Sequence, residues 1–458
     1  MRSLLAILAA KAASKLNRVS GSGGSSFPGL VAKKIDKDIL EKLVLNNFPR
    51  GIIVVTGTNG KTTTSKLIAN MLDEAGITYV HNRTGSNMEQ GLISSLTDSV
   101  DISSKISAEV GLFEVDEAFM PKVCRAIKPD TIVVTNLFRD QLDRYGELDK
   151  IARSFRSLFE DLPGANLVLN ADDPLVASLG FNLENERKAT YFGVANYNGP
   201  KLKHDYTADS IFDPFTQEKL HYTDRYFSHI GRYRGKRGGF TRPKLDFVAE
   251  DVKQKGIENI KFVVNNSTKV IKLDMPGLFN VYNSVAAFAT AKIALEISDK
   301  DIIFALNESS AAFGRSETLS YKGRELLLLL IKNPTGLNQV IQSYLLKEKD
   351  RLLVFVINDN YADGRDISWL WDAAFEDLSD YKGKILVGGS RAYDMALRLK
   401  YAGIKGVSIE PDESKLLAKI EMNSSKRSKV FMLPTYTAML SMRSKIVSED
   451  EKAKEYWQ

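Results

Sequence analysis

The sequence has 458 residues, of which 43% are hydrophobic and 26% are charged, so it predicts two or three globular domains and excludes a largely disordered chain. A net charge of +6, from 63 basic and 57 acidic residues, is too small at this length to indicate a nucleic-acid-binding protein. The single cysteine excludes an internal disulfide framework.

The chain opens on an apolar stretch, residues 1–10, which Lys11 and Lys15 bring to an end. We interpret it as a short amphipathic helix rather than a signal peptide. Because no run approaches the ~20 apolar residues that cross a bilayer, we expect no transmembrane segment, a cytoplasmic protein and, at most, peripheral contact with the inner face of the membrane. A Ser- and Gly-rich break at 20–29 follows, so residues 1–45 are predicted to be an N-terminal helical segment and linker.

A strand, a glycine-rich turn and a helix come next. Residues 51–55 are an apolar run typical of a buried strand, and apolar residues repeat at helical spacing from 67 to 72. The turn between them is Gly57-Thr58-Asn59-Gly60-Lys61-Thr62-Thr63-Thr64. Because such a turn directs backbone N–H groups and a helix N-terminus at one place, it predicts a polyphosphate site where Lys61 reaches the terminal phosphates and Thr62 binds Mg²⁺.

This loop does not by itself identify a reaction. The first glycine of the strict P-loop pattern is replaced by Val55, and a turn that merely connects strand and helix is the alternative. Glu114 ends the next apolar strand, where open α/β sheets place ligand groups, so it is a candidate Mg²⁺ ligand. For its neighbours Asp116 and Glu117, a solvated acidic loop is a fair interpretation. Asn136, with Asp140 and Asp143, follows a further strand and is expected at the same rim.

The alternation of strands and helices predicts an α/β core with a largely parallel sheet. Residues of about 195–270 are richer in aromatic and basic side chains and short strands, and we interpret them as a β-rich insertion in an ATP-binding domain that spans 46–318. Apolar runs at 326–331 and 352–357, around a helical pattern, predict a second α/β domain over 319–458.

Several motifs stand in the order in which Mur ligases carry them: Thr56 to Thr64, Glu114, Thr135-Asn136 with Asp140 and Asp143, residues 170–174, residues 277–283 and residues 314–317. The chain therefore resembles the Mur ligases. The resemblance implies a central P-loop ATPase domain, a C-terminal Rossmann-like domain and chemistry through an acyl phosphate, with Lys61 as a catalytic group and Mg²⁺ at Thr62 and Glu114. It implies ATP contacts from Gly57, Thr58, Asn59, Gly60, Lys61, Thr62, Thr63, Asn280, Asn283 and Arg315. Asn280 and Asn283 could instead cap a helix.

Within the Mur ligases, the chain is most similar to the MurT family, the synthetase subunits of lipid II isoglutaminyl synthases, over nearly its whole length. Residues 332–339, 358–372 and 433–439 carry this resemblance. Amino-acid-adding Mur ligases would need about a hundred residues before the loop for their substrate domain, which is more than this chain provides. The resemblance implies ATP-dependent amidation of the α-carboxyl of D-glutamate in the lipid II stem peptide to D-isoglutamine. Ammonia would come from a GatD-like glutamine amidotransferase subunit in a heterodimer.

The same resemblance implies that the C-terminal domain supplies an aspartate to the glutaminase site of the partner. Asp363 and Asp366 are the candidates, and Asp359 stays open. A carboxylate there would orient the histidine of the partner, as the third member of a triad does. A polar Asp-Gly turn is the alternative.

One departure from the family concerns zinc. MurT relatives commonly carry two Cys-x-x-Cys pairs in the insertion, but this chain has Asp213-Pro214-Phe215-Thr216 and Gly235-Lys236-Arg237-Gly238. A structural zinc needs about four N or S ligands, and only His204, His221 and His229 lie near in sequence. We expect an insertion that resembles a zinc ribbon but holds no structural zinc, so that aromatic packing must stabilise it.

Two other functions remain as alternatives. An amino-acid-adding Mur or folylpolyglutamate-type ligase would use the same ATP core with a different amine. A non-catalytic scaffold would bind ATP and hold an amidotransferase without turning over substrate.

Overall fold

The computed structural model describes residues 2–20, 26–45, 47–82, 87–101, 105–139, 148–181, 183, 189–205, 207–236, 239–309 and 315–449. They contain one nine-stranded, one six-stranded and one two-stranded sheet. The nine-stranded sheet consists of β1 (Ile52–Thr56), β2 (Tyr79–His81), β3 (Val110–Glu114), β4 (Thr131–Val134), β5 (Asn166–Asn170), β6 (Thr190–Val194), β9 (Phe247–Lys255), β10 (Asn259–Val264) and β11 (Ile271–Leu273). The two-stranded sheet is β7 (His221–Phe227) and β8 (Ile230–Arg234). The six-stranded sheet is β12 (Arg315–Tyr321), β13 (Arg324–Leu329), β14 (Leu353–Val356), β15 (Ile385–Gly388), β16 (Val407–Ile409) and β17 (Lys429–Pro434).

Helices connect these strands and cover the sheets. We call the part of the chain with the nine-stranded sheet the first unit and the part with the six-stranded sheet the second unit. Those of the first unit are α1 (Arg2–Ser20), α2 (Phe27–Ile35), α3 (Ile39–Val44), α4 (Lys61–Glu74), α5 (Glu89–Ser99), α6 (Met120–Ile127), α7 (Leu148–Asp161), α8 (Pro174–Ser178), α9 (Leu278–Ala294) and α10 (Asp299–Asn307). Those of the second are α11 (Pro334–Val340), continued by a π-helical turn (Ile341–Leu345), α12 (Ala392–Tyr401), α13 (Glu413–Asn423) and α14 (Tyr436–Glu449). Short 3₁₀ turns lie at Ser368–Asp372 and Phe375–Leu378.

The nine-stranded sheet has the order β11-β10-β9-β6-β5-β4-β1-β3-β2, and all its pairs from β9 to β2 are parallel. Its central strands are continuous apolar runs because they are buried on both faces. Helices α4, α9 and α10 cover one face, whereas α1 to α3 and α5 to α7 cover the other. The predicted α/β fold is confirmed. Strand β1 lies between β3 and β4, so the loop that follows it lies at the switch point of the sheet, where such folds bind ligands.

The six-stranded sheet has the order β12-β13-β17-β14-β15-β16 and is parallel apart from the β12–β13 pair. Helices α11 and α12 pack on one face and α13 and α14 on the other. Its own switch point is β14, which lies between β17 and β15. The segment that follows β14 contains the candidate aspartates, so this second sheet presents them at its carboxyl edge.

The hairpin β7–β8 lies outside both large sheets. The chain leaves the nine-stranded sheet after β6 and returns at β9, which pairs directly with β6. Of residues 195–270, those from Phe247 on therefore belong mainly to strands of the large sheet. Short antiparallel strands at the edge of a sheet have the same composition as a separate hairpin, so the sequence did not distinguish them.

Asp213 holds the loops of this hairpin together at one of the positions for which the sequence predicted no zinc ligand. Its carboxylate accepts from the backbone N–H groups of Phe215 (2.8 Å), Thr216 (3.2 Å) and Phe240 (3.3 Å). Phe215 and Phe240 also pack together, with ring centroids 5.5 Å apart, and Phe181 contacts both rings. Hydrogen bonds and aromatic packing therefore join the parts of the insertion.

Candidate active site

The loop after β1 requires its glycines at two positions. Gly57 and Gly60 have φ values of +126° and +87°, which side chains rarely allow. A Cβ atom at Gly57 would lie 2.3 Å from the hydroxyl of Thr135, and one at Gly60 would lie 2.1 Å from Oδ1 of Asn283. The loop therefore passes close to β4 and α9, and its N–H groups lie at the start of α4 as the sequence predicted.

Residues at the end of β4 hold this loop in place. Asn136 accepts from the backbone N–H of Asn59 through Oδ1 (2.9 Å) and donates to its carbonyl through Nδ2 (2.9 Å). The hydroxyl of Thr135 donates to the same carbonyl at 2.8 Å. Thr58 is held by hydrogen bonds to the backbone of Phe138. These neighbours thus fix the conformation of the loop.

Lys61 is buried and ion-paired. Its ammonium lies 3.0 Å from Oε2 of Glu117 and also donates to the carbonyl oxygen of Gly57. Burial alone would lower the pKa of Lys61, but three neighbouring carboxylates, of which Glu117 is the strongest, raise it above its ordinary value. Burial would raise the pKa of Glu117, but Lys61 and Lys332 lower it to about 2. Both groups are therefore charged at neutral pH.

Thr62 and Glu114 form the candidate magnesium site. The hydroxyl of Thr62 donates to Oε1 of Glu114 at 3.0 Å, and the backbone of Glu114 is fixed by two 2.8 Å hydrogen bonds with the buried side chain of Asn82. Mg²⁺ prefers oxygen ligands and commonly binds through one or two protein groups plus phosphate oxygens. A hydroxyl and a carboxylate next to the glycine-rich loop fit this ion. In the described part of the chain, no group of three or more His, Cys, Asp or Glu side chains is arranged as a metal site.

The second unit reaches the loop through the start of α11. The side chains of Asn333 and Asn59 lie within hydrogen-bond distance, with Nδ2 of Asn333 donating to Oδ1 of Asn59 at 3.1 Å. Asn333 also caps α11 by accepting from the N–H of Gly336 at 2.8 Å. Lys332 adds positive charge that lowers the pKa of Glu117. The two units therefore meet at the loop.

A cleft opens beside the loop between the two units. Asn59, Gly60 and Thr63 form its loop side, and Lys332 and Gly336 line it from the second unit. Its remaining wall is largely apolar and includes Phe138, Phe227, Ile230, Met275, Tyr282 and Tyr344. Polar groups and aromatic rings in one cleft suit a nucleotide, whose phosphates and base need different surroundings.

The other predicted nucleotide contacts are placed as follows. Asn280 and Asn283 are buried at the start of α9 and line the cleft. Nδ2 of Asn280 donates to the carbonyl oxygens of Met275 (3.3 Å) and Pro276 (3.0 Å), so it also fixes the turn before the helix. Arg315 begins β12, and its side chain lies outside the described residues, as do Asp140 and Asp143.

The candidate aspartates of the second unit differ in accessibility. Asp363 is buried, and its carboxylate accepts from Thr437 through both the backbone N–H (2.7 Å) and the hydroxyl, and from the N–H of Asn360 (3.1 Å). Asp359 accepts from Ser390 and lies 3.3 Å from the guanidinium of Arg391. Asp366 is half-buried, and its Oδ1 accepts from the N–H of Ser368 at 2.8 Å.

Several residues of the site have no clear signal in the sequence. A solvated loop is the natural interpretation of Glu117 from the sequence, but in the structure Glu117 is buried and pairs with Lys61 at the glycine-rich loop. The signal was its position three residues after Glu114, close to a strand end. Asn82 and Asn333 hold Glu114 and Asn59 from distant parts of the chain, and a single sequence carries no signal for such pairs.

Family profiles match both large units of the chain. The family profile for the Mur ligase middle domain matches residues 55–291, and the profile for the MurT ligase C-terminal domain matches residues 330–439. The chain is 34% identical over 94% of its length, and 94% of the relative, to the MurT subunit of the lipid II isoglutaminyl synthase (glutamine-hydrolyzing) of Streptococcus pneumoniae. The chain belongs to the MurT family of Mur ligases. It is also 32% identical to the subunit of the same name from Staphylococcus aureus strain COL, over 96% of the chain and 97% of that relative.

Solved structures show the same Mur ligase fold. A pseudomurein peptide ligase type C from Methanothermus fervidus superposes with a TM-score of 0.70 at 22% identity, covering 90% of this chain and 80% of that one. The folylpolyglutamate synthase of Mycobacterium tuberculosis superposes with a TM-score of 0.58 at 12% identity over 97% and 95% of the two chains. None of the helices that the structure describes has both the length and the apolar character of a membrane span.

Proposed function

We propose that this protein is the synthetase subunit of an enzyme that amidates the α-carboxyl of D-glutamate in the lipid II stem peptide, forming D-isoglutamine, ADP and phosphate. The observation that carries this proposal is the loop at the switch point of the large sheet. It holds Lys61 and Thr62 next to Glu114, and its other residues line a cleft that the second unit also lines. The relatives that match over nearly the whole chain are named as subunits of lipid II isoglutaminyl synthases.

Each residue of the site has a part in this reaction. The N–H groups of the loop and the ammonium of Lys61 bind the phosphates of ATP and neutralise charge that develops on the transferred phosphoryl group. Thr62 and Glu114 would hold Mg²⁺, which supplies further positive charge when bound. The apolar wall with Phe227 and Tyr282 takes the base. Transfer of the γ-phosphoryl group to the substrate carboxylate gives an acyl phosphate, which ammonia attacks with loss of phosphate.

The substitution Lys61→Ala tests this proposal. We expect turnover with ATP, stem-peptide substrate and ammonium to fall by at least about 100-fold, since one preorganised charge in a transition state contributes about that much. Ammonium should support substrate-dependent ADP release, whereas free amino acids should not, which distinguishes amidation from an amino-acid-adding ligase. ADP release that does not depend on substrate would instead support a scaffold.

The ammonia would come from a GatD-like glutaminase subunit that docks on the second unit. Exposed aromatic and apolar side chains follow one face of α12 at helical spacing: Tyr393, Leu397 and Tyr401. The exposed ring of Trp371 contacts Tyr401, with centroids 5.5 Å apart. Trp371 belongs to the 3₁₀ turn whose first residue, Ser368, donates its N–H to Asp366, so the aromatic surface lies close in the chain to this half-buried aspartate.

Asp366 is the residue that we propose for the glutaminase site of the partner. Asp363 is fully engaged with Thr437 and Asn360, so its role is to hold the segment after β14. Asp366→Asn should lower glutamine-dependent amidation by at least about 100-fold, as loss of the third member of a triad does, and leave ammonium-dependent amidation unchanged. Asp359→Asn is the matched control. A selective loss in that control, with Asp366→Asn active, would assign the role to Asp359.

A further inference from the structure

The outer face of α1 is a surface that the catalytic site does not use. Its inner face, Ala6, Ile7, Ala10 and Ala13, is buried against the helices below. The opposite face carries Leu4, Leu5, Leu8 and Leu16, which are between 39% and 69% exposed. The helix is therefore apolar on both sides, although only one side has a partner within the described chain.

Contiguous exposed leucines are uncommon on a soluble protein and indicate an interaction surface. The neighbouring helix α2 carries two further exposed apolar side chains, Phe27 and Leu30. All of these side chains except Phe27 are aliphatic, and none of the leucines carries a group that would fix the orientation of a protein partner. Such a surface suits a fluid apolar phase.

The charges that α1 itself carries are basic, although Ser3 and Ser14 of this helix donate to the carboxylates of Asp36 and Asp98. Residues 2–20 contain no Asp or Glu. Arg2 donates to the carbonyl of Ile35 at 2.6 Å and Lys11 to that of Val100, so both stay at the margins of the helix. Lys15 is exposed among the leucines, and Lys34 and Lys37 are exposed on and just after α2. An anionic surface complements this arrangement.

We propose that α1 lies in the headgroup region of a membrane that contains anionic lipids, with Leu5, Leu8 and Leu16 inserted between the lipids. An apolar helical face flanked by lysines and arginines binds at such an interface without crossing it. Long basic side chains at the margin reach the phosphates while their methylene groups stay in the apolar layer. In one respect the inference rests on the proposed function, because the proposed substrate is linked to a lipid and the docked enzyme would meet it at the bilayer surface.

Flotation of the full-length protein, alone and with its partner subunit, with phosphatidylcholine vesicles that contain or lack phosphatidylglycerol tests the proposal. We expect the wild type to bind the anionic vesicles, and this binding should weaken as salt is added. The double substitution Leu5→Glu/Leu8→Glu should lower the binding by at least about tenfold. Met422→Glu, which changes an exposed methionine on α13, is the matched control and should bind as the wild type does. Thermal unfolding of each variant verifies the fold.

Unchanged vesicle binding by Leu5→Glu/Leu8→Glu would overturn the proposal, as would equal binding of the wild type to both kinds of vesicle. If the substitutions instead convert a dimer to a monomer in sedimentation, the surface joins two copies and the proposal is wrong. The proposed chemistry is tested separately with a detergent-dispersed substrate, on which Leu5→Glu/Leu8→Glu should amidate at the wild-type rate. Failure of the wild type in that assay would count against the proposed function and leave the vesicle result standing.

Discussion

The ammonium of Lys61 lies 3.0 Å from Oε2 of Glu117, and both side chains are almost fully buried. We expect Glu117→Gln to lower the free energy of unfolding by about 3 kcal/mol, because a buried charge that loses its partner costs about 3–5 kcal/mol. Urea unfolding measures this loss. Asp161→Asn breaks the exposed ion pair with Arg125 and should cost less than about 1 kcal/mol. Equal losses in the two variants would contradict a buried pair.

The ion pair between Lys61 and Glu117 should make the stability of the protein depend on pH over a defined acidic range. Glutamate ordinarily has a pKa of 4.5, and that of Glu117 is lowered to about 2. Between these values the unfolded chain binds the proton more readily than the folded one, so the stabilisation from the pair is complete above pH 4.5 and is lost as the pH falls toward 2. The difference in unfolding free energy between wild type and Glu117→Gln should therefore shrink between pH 5 and pH 3. A constant difference would rule out this linkage.

A single methyl group at Gly60 should disturb the phosphate loop. Gly60→Ala places Cβ 2.1 Å from Asn283 and at a φ of +87°, so we expect ATP affinity to fall by at least about tenfold. Gly76→Ala is the matched control because Gly76 also has a positive φ, +67°, but a Cβ there has nothing within 4 Å. The control should lose about 1 kcal/mol of stability and keep its ATP affinity. Calorimetric titration with ATP would show the difference.

Removal of the Asn333 side chain should affect ATP use as well as stability. Asn333→Ala deletes the cap of α11, which costs about 1 kcal/mol, and the contact with Asn59 in the loop. We expect the KM for ATP to rise by about fivefold, as loss of one hydrogen bond predicts. Asp412→Ala removes the cap of α13 in the same unit without a contact to the loop and should leave the KM for ATP unchanged. Identical kinetics in the two variants would show that the Asn59 contact has no catalytic effect.

Metal removal should not unfold the insertion. The N–H groups of Phe215 and Phe240 are satisfied by Asp213, so a zinc chelator should leave the thermal unfolding midpoint unchanged. Asp213→Ala should lower the unfolding free energy by about 1–3 kcal/mol, the cost of leaving buried donors without an acceptor. Limited proteolysis within residues 207–236 would report the local loosening. A chelator effect in the wild type would mean that a metal contributes.

The parts of the fold that the sequence predicted are those with a local signal. Residues 51–55 are a short apolar run followed by two required glycines, and this pattern predicts the strand, the turn and the helix without knowledge of any other segment. The side chains that hold the site come instead from distant positions. Asn333 contacts Asn59 although the two residues are 274 positions apart in the sequence. Asp213 accepts from the backbone N–H of Phe240, and such a bond leaves no motif in the sequence.

The aspartates after β14 show a second reason why parts of the site could not be predicted from the sequence. The spacing of Asp363 and Asp366 places both in one polar turn, so composition cannot distinguish them. Their surroundings differ because Thr437, which follows β17 in the chain, donates twice to the buried carboxylate of Asp363, whereas Asp366 is half-buried and accepts from Ser368. Only the strand order of the second sheet brings Thr437 there.

The hairpin β7–β8 also contributes to the cleft, since Phe227 and Ile230 lie on its turn and line the apolar wall. With the nucleotide placed as proposed, these side chains face its base. The packing of a peripheral hairpin then sets the shape of the base pocket, while the phosphate loop stays unchanged. Discrimination between ATP and GTP therefore becomes a property of the insertion, and exchange of the hairpin between relatives is a route to altered nucleobase selectivity.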